Sequence, residues 1–87
     1  MIAEGTSKDM YYVYLLKLAN ATIYTGSTPD LKRRLEQHKK GQAKATKNLR
    51  PVELMWYCAF NNRLAALRFE KYLKTGSGQA FRNKHLI

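Results

Sequence analysis

Between Tyr11 and Leu18 the chain is a nearly unbroken run of aromatic and aliphatic residues, followed after Ala19-Asn20-Ala21 by the shorter run Thr22-Ile23-Tyr24-Thr25. Two β-rich runs separated by three small or polar residues predict a β-hairpin. With Leu18 opposite Thr22, Leu16 lies opposite Tyr24, and Tyr14 sits diagonal to Tyr24 on the same face. A loop one residue longer would put the two tyrosines on opposite faces.

Gly26-Ser27-Thr28-Pro29 closes the hairpin and opens a helix, with Thr28 as N-cap, Pro29 in the first helical position and Asp30 in the first turn. Gly41 ends it. At ~100° per residue, Leu31 and Leu35 form an apolar stripe flanked by Arg34 and His38, while Lys32, Arg33, Glu36, Lys39 and Lys40 take the opposite arc. A basic loop, Gly41 to Arg50, leads to a third strand from Pro51 to Phe60. On it Val52, Leu54, Trp56, Cys58 and Phe60 share one face and Glu53, Met55, Tyr57 and Ala59 the other, so burial on both sides is expected. Asn61-Asn62 caps a helix from Arg63 to Thr75. Gly76-Ser77-Gly78 breaks it, and Gln79 to Leu86 forms a last short helix. The order β-β-α-β-α-α predicts an α+β fold, a small sheet with helices packed on it.

Composition narrows the classes. The 87 residues carry 16 Lys and Arg against 6 Asp and Glu, a formal charge of +10, with 45% hydrophobic residues. That apolar content excludes a disordered basic tail, and no apolar run approaches the ~18 residues of a membrane span. One domain over residues 10–87 is expected, preceded by a flexible tail, residues 1–9, that lacks the apolar stretch of a secretory signal. The single Cys58 and the absence of Cys-x-x-Cys exclude an intrachain disulfide and a structural zinc site, which fits a reducing, cytoplasmic setting. Cys58, Trp56, Tyr57 and Tyr72 read as packing residues. A charge of this size implies a polyanionic partner, first of all nucleic acid. Lys32, Arg33, Arg34, Lys39, Lys40, Lys44, Lys47 and Arg50 cluster in one segment whose only acid is Glu36. Of these, Lys32, Arg33, Lys39, Lys40, Lys44 and Lys47 are the candidate nucleic-acid contacts.

Acids are few. With Glu4 and Asp9 in the tail, Asp30, Glu36, Glu53 and Glu70 remain. Glu70 lies among Ala66, Leu67 and Leu73, with Arg63 and Lys74 beside it. The wheel leaves two readings open: an ordinary i,i+4 pair with Lys74, worth ~0.2–0.5 kcal/mol, or a functional carboxylate. Two metals would need more carboxylates than this, whereas one Mg²⁺ can be held by one carboxylate, waters and a substrate phosphate.

Tyr12-Val13-Tyr14, Tyr24-Thr25-Gly26, the helix Asp30-Leu31-x-x-Arg34-x-x-x-His38 and the helix Ala66-x-x-x-Glu70-x-x-Leu73-Lys74 follow one another in register. In these four motifs the chain resembles the GIY-YIG nuclease superfamily over Tyr11 to Leu86, in particular small domains similar to the N-terminal nuclease of the ABC excinuclease. The resemblance implies a three-stranded antiparallel sheet flanked by helices and metal-dependent phosphodiester cleavage, with DNA expected ahead of RNA as substrate and repair or recombination as the setting. It implies that Tyr24 orients or deprotonates the attacking water, Tyr14 is its hydroxyl partner, Arg34 neutralises the phosphate, and Glu70 holds a single Mg²⁺ or Mn²⁺. His38 is expected to contact phosphate, to relay a proton or simply to cap the end of its helix, and Asn83 is a loose further candidate in the last helix.

Two signature positions depart from the pattern: Tyr12 stands for Gly and Thr25 for Ile. No groove-filling element for base readout is evident, and Lys and Arg contacts to phosphate carry no sequence information. Cleavage is therefore expected to be weakly sequence-selective, structure-selective or directed by a protein partner. A nucleic-acid-binding module that keeps the fold with little activity is the second reading.

Overall fold

The computed structural model describes residues 10–87, so the expected tail, residues 1–9, lies outside the described residues. The chain forms β1 (Tyr11–Lys17), β2 (Ile23–Thr28), α1 (Leu31–Lys39), a 3₁₀ turn (Lys47–Leu49), β3 (Glu53–Phe60), α2 (Arg63–Leu73) and α3 (Gly76–His85). The three strands make one antiparallel sheet in the order β2-β1-β3, an α+β fold with the expected order of elements.

The hairpin has the expected register. Leu16 pairs with Tyr24 and Tyr14 with Gly26. The Ala21 N–H donates to the Leu18 carbonyl and the Leu18 N–H to the Thr22 carbonyl, both at 2.9 Å, and Ala21 takes the left-handed φ of 69° that a three-residue hairpin loop needs. Strand β2 runs three residues beyond expectation, to Thr28.

Caps shift accordingly. Asp30, not Thr28, is the N-cap of α1, its Oδ1 accepting from the Arg33 N–H at 3.1 Å. Thr28 Oγ1 instead accepts from the Asp30 N–H at 3.1 Å, closing a turn over Pro29. Asn62 caps α2 as expected, its Oδ1 accepting from the Ala65 N–H at 3.0 Å. Helix α2 stops at Leu73, and Thr75 caps α3, which begins at Gly76 rather than Gln79. The glycines here do not break a helix. A side chain at Gly78 would overlap the Tyr72 carbonyl, so this residue lets the two helices meet.

Burial centres on β1, where Val13, Tyr14, Leu15 and Leu16 are essentially inaccessible. Alternation splits them between two cores, one per face. Val13 and Leu15 pack with Ala66, Phe69 and Leu73 of α2, while Tyr14 and Leu16 pack with Leu31 and Leu35 of α1. Each such aliphatic side chain contributes roughly 1.5–3 kcal/mol of transfer free energy.

Strand β3 corrects the sequence reading. A bulge lets Trp56 pair with Leu15 and Leu54 with Leu16, leaving Met55 as the extra residue. The single apolar face is thereby cut: Trp56, Cys58 and Phe60 join the α2 core, and Val52 and Leu54 join the α1 core. Nor is the strand buried on both sides. It lies at the sheet edge, and Met55 and Tyr57 stay partly exposed.

Candidate active site

Tyr14 projects from the middle of the central strand towards α1, and Gly26 is its partner across the β1–β2 ladder. A Cβ on Gly26 would lie 2.5 Å from the Tyr14 Oη, 2.6 Å from its Cζ and 3.0 Å from the Tyr24 Cε2. Glycine at this position is therefore what lets the Tyr14 phenol lie across β2. Tyr24, two residues earlier on β2, shares the face, with ring centroids 6.3 Å apart.

Helix α1 brings His38 against both rings, at 5.6 Å from Tyr14 and 5.2 Å from Tyr24. The sequence placed His38 at the border of the apolar stripe, but it is the one fully buried residue of α1. Both ring nitrogens are engaged: Nε2 lies 2.8 Å from the Tyr14 hydroxyl and Nδ1 2.7 Å from the Thr46 hydroxyl. The buried ring offers no surface for phosphate, and its placement is compatible with a structural role at the end of the helix or with a relay through Tyr14. Burial, and secondarily the Arg34 charge, holds the imidazole below its ordinary pKa, so the neutral ring has one donor and one acceptor nitrogen. Protons can point either way along Thr46, His38 and Tyr14. In one sense Tyr14 donates to Nε2, and in the other it accepts from Nε2–H and offers its own proton outward.

Burial also pushes the Tyr14 phenol up to about 12, assisted by the Tyr24 and Glu70 charges and opposed by the adjacent Arg34 guanidinium. Such a phenol is neutral at pH 7. A neutral phenol can donate a hydrogen bond but is a poor base. Arg34, half-buried, is steadied by a 2.9 Å hydrogen bond from Nη1 to the Gln37 Oε1.

Glu70 reaches this region from the opposite face of the sheet. Ser27, next to Gly26, points the other way along the strand and donates to the Glu70 Oε1 at 2.6 Å. Adjacent residues Gly26 and Ser27 thus connect the phenol on one face with the carboxylate on the other. Lys74 Nζ sits 2.8 Å from Oε2, so the ordinary i,i+4 pair is also present. Burial alone would raise the Glu70 carboxyl, but the Lys74 and Ser27 hydrogen bonds and the Lys74 charge outweigh it and hold it below the usual carboxylate value. The side chain remains 18% exposed.

Among the described residues no group of three or more His, Cys, Asp or Glu converges on a cation position. Glu70 is an anionic carboxylate at neutral pH with two donors on its oxygens, and a carboxylate has about four lone-pair positions. Its free positions suit a divalent ion bound through one carboxylate, with water and phosphate completing the shell.

Lys32, Arg33, Lys39, Lys40, Lys44 and Lys47 are all exposed along α1 and the following loop, and Lys74–Glu70 is the one ion pair among the described residues. Asn83 lies instead beside Lys17, Ala21 and Thr22, near the hairpin loop at the other end of β1 from Tyr12.

A profile of the GIY-YIG catalytic domain matches residues 10–84. The chain belongs to the GIY-YIG family. Its GIY-YIG domain is 43% identical over 70 residues to a UPF0213 protein of Streptococcus agalactiae, an alignment covering 79% of this chain and 80% of the relative. A UPF0213 protein of Haloquadratum walsbyi is 38% identical over 68 residues, covering 77% and 76% respectively. The solution NMR structure of a UPF0213 protein from Bacillus halodurans is similar as well. It superposes with a TM-score of 0.56 at 31% identity, covering 86% of this chain and 83% of that one. The family is one of nuclease-type domains, in keeping with the expected resemblance.

Two residues at this site escaped the sequence reading. Thr46 lies in a loop read only as basic, yet both it and Ala43 are buried. The one available signal was a small and a β-branched residue three apart among lysines. Ser27, the hydrogen-bond donor to Glu70, read only as part of a turn.

Proposed function

We propose that this GIY-YIG domain is a divalent-metal-dependent endonuclease that hydrolyses phosphodiester bonds in DNA with weak sequence selectivity. The observation that carries the reading is the convergence of Tyr14, Tyr24 and His38 from three elements near Arg34, with Glu70 tied to the same stretch of β2 through Ser27. Tyr24, at the more open side of the pair, accepts a hydrogen bond from the attacking water and orients it. Tyr14, kept neutral and fixed by His38, is the hydroxyl partner that supports Tyr24 from behind. Arg34 stabilises charge on the phosphate oxygens, where a planar guanidinium can make paired hydrogen bonds. A divalent ion, Mg²⁺ or Mn²⁺, would be held by Glu70 and would supply Lewis-acid stabilisation of charge at phosphorus. The exposed lysines of α1 and its loop grip the backbone without reading bases, so choice of substrate comes from DNA structure or from a protein partner. On this reading the domain acts in the cytoplasm on DNA undergoing repair or recombination.

Purified protein incubated with branched, nicked and single-stranded DNA and Mg²⁺ or Mn²⁺ tests the proposal. Cleavage that is lost on chelation supports it, and intact DNA under all these conditions defeats it.

One observation favours a binding module instead. Lys74 occupies the Glu70 Oε2 at 2.8 Å, where it competes with a metal for the same oxygen. In that case nucleic-acid affinity falls steeply with salt and survives Glu70→Ala, and no cleavage accompanies it.

A further inference from the structure

We propose that the groove between the start of α1 and the exposed face of β1 and β3 is a subsite for an unpaired nucleobase, stacked against Tyr12 and Tyr57. The proposal rests on the reading of the adjacent cluster as a nucleic-acid-cleaving site and names the form of substrate it takes. The groove encloses about 670 Å³ and is lined by Tyr12, Tyr57, Leu35 and Leu54, with Lys32 and Asp30 at its rim. A volume of this order suits one small planar ligand.

Tyr57 is the decisive residue. It is an aromatic side chain on a strand, yet it is 52% exposed, contrary to the packing role the sequence assigned it. Its ring lies 6.3 Å from that of Tyr12 at 57°, so the two form a tilted wall and neither covers the other's face. Tyr12 is two residues before Tyr14 on the same face of β1, which puts the wall about 7 Å along the strand from the Tyr14 phenol. The groove therefore opens beside the site on the strand that carries it.

Charge points to a nucleotide. Lys32 is exposed at the rim without an acid partner among the described residues, and it suits the phosphate attached to a bound base. Asp30 is the one acid there. Its Oδ1 caps α1, and its carboxylate retains acceptor positions for an N–H of the base edge. In a duplex the base faces stack on one another and only the edges are offered, so an aromatic wall selects an unpaired base. The family signature has glycine where Tyr12 stands, so this half of the wall comes from a departure from that signature.

Fluorescence anisotropy of labelled single-stranded and duplex DNA of equal length, without divalent ions, tests the subsite. Stacking of one base gives ~1–3 kcal/mol, so Tyr57→Ala should weaken single-strand binding about 5- to 150-fold. Tyr57→Leu, which keeps apolar bulk without a ring, should lose as much, and Tyr57→Phe should bind like wild type. Duplex affinity should stay within about twofold, and the salt slope should not change because no charge is removed. The proposal is overturned if the wild type fails to bind single strands at low salt, if Tyr57→Ala and Tyr57→Leu bind them as well as wild type, or if duplex binding falls in parallel. A Mg²⁺ arm separates the two readings. Cleavage by the wild type with single-strand binding unmoved by Tyr57→Ala removes the subsite and leaves the nuclease. Loss of single-strand affinity in Tyr57→Ala without wild-type cleavage removes the nuclease and leaves the subsite.

Discussion

The Tyr14 hydroxyl and the His38 Nε2 meet at 2.8 Å in a contact from which water is excluded, the phenol being 1% exposed and the imidazole 0%. This bond ties the central strand to the helix that carries Arg34.

Breaking the chain at its far end should therefore be costly. Thr46→Val keeps the shape but leaves His38 Nδ1 without a partner, and a loss of about 1–3 kcal/mol is expected. His38→Ala adds a cavity and should cost about 2–5 kcal/mol. Urea midpoints at constant slope measure both, and a Thr46→Val midpoint equal to that of wild type would contradict the structural role given to Thr46.

Stability should respond to pH in two windows. His38 has a folded pKa below its ordinary 6.5, so the unfolded chain takes up a proton first as pH falls. Its contribution is complete above about pH 6.5 and declines below it. Tyr14 is raised from 10 to about 12, so its contribution is complete below pH 10 and is lost as pH rises towards 12. Thermal melts across pH should show both declines, with the acid one weakened in His38→Asn and the alkaline one weakened in Tyr14→Phe. An unchanged acid decline in His38→Asn would assign that titration to other groups, such as Glu70, whose lowered pKa acts in the same direction below about 4.5.

Gly26→Ala is the smallest change that should disturb the centre. The added methyl would sit 2.5 Å from the Tyr14 Oη, and the phenol must leave His38 to admit it. Overpacking of this kind costs ~1–3 kcal/mol. Ser27→Ala, one residue on, releases Glu70 Oε1 and leaves the Tyr14–His38 bond alone. Denaturation midpoints and a structure of each variant would separate the two effects, and an undisplaced Tyr14 in Gly26→Ala would refute the first.

The hairpin register was legible because the three-residue loop fixes it, and with it the shared face of Tyr14 and Tyr24. The order of elements followed from periodicity and from the Asn62 cap. Strand β3 misled because apolar residues on both faces look the same whether a helix covers them or not, and because the Met55 bulge flips the sequence frame without a glycine or proline to mark it. His38 was placed at a border because the wheel sees only its own helix, whereas its burial depends on Thr46 arriving from a loop that sequence shows as basic. Capping failed by two residues at α1 because Thr28 and Asp30 are both good caps, and the turn over Pro29 decided between them.

Cleavage of end-labelled single-stranded and nicked DNA by the purified chain, with Mn²⁺ or Mg²⁺ and then with excess chelator, tests the central claim most directly when Glu70→Ala and Tyr24→Phe are run beside the wild type. The account predicts metal-dependent cutting that falls by at least ~100-fold in each variant while both remain folded and bind DNA. Equal cutting by the wild type and the two variants, or cutting that persists after chelation, would contradict it.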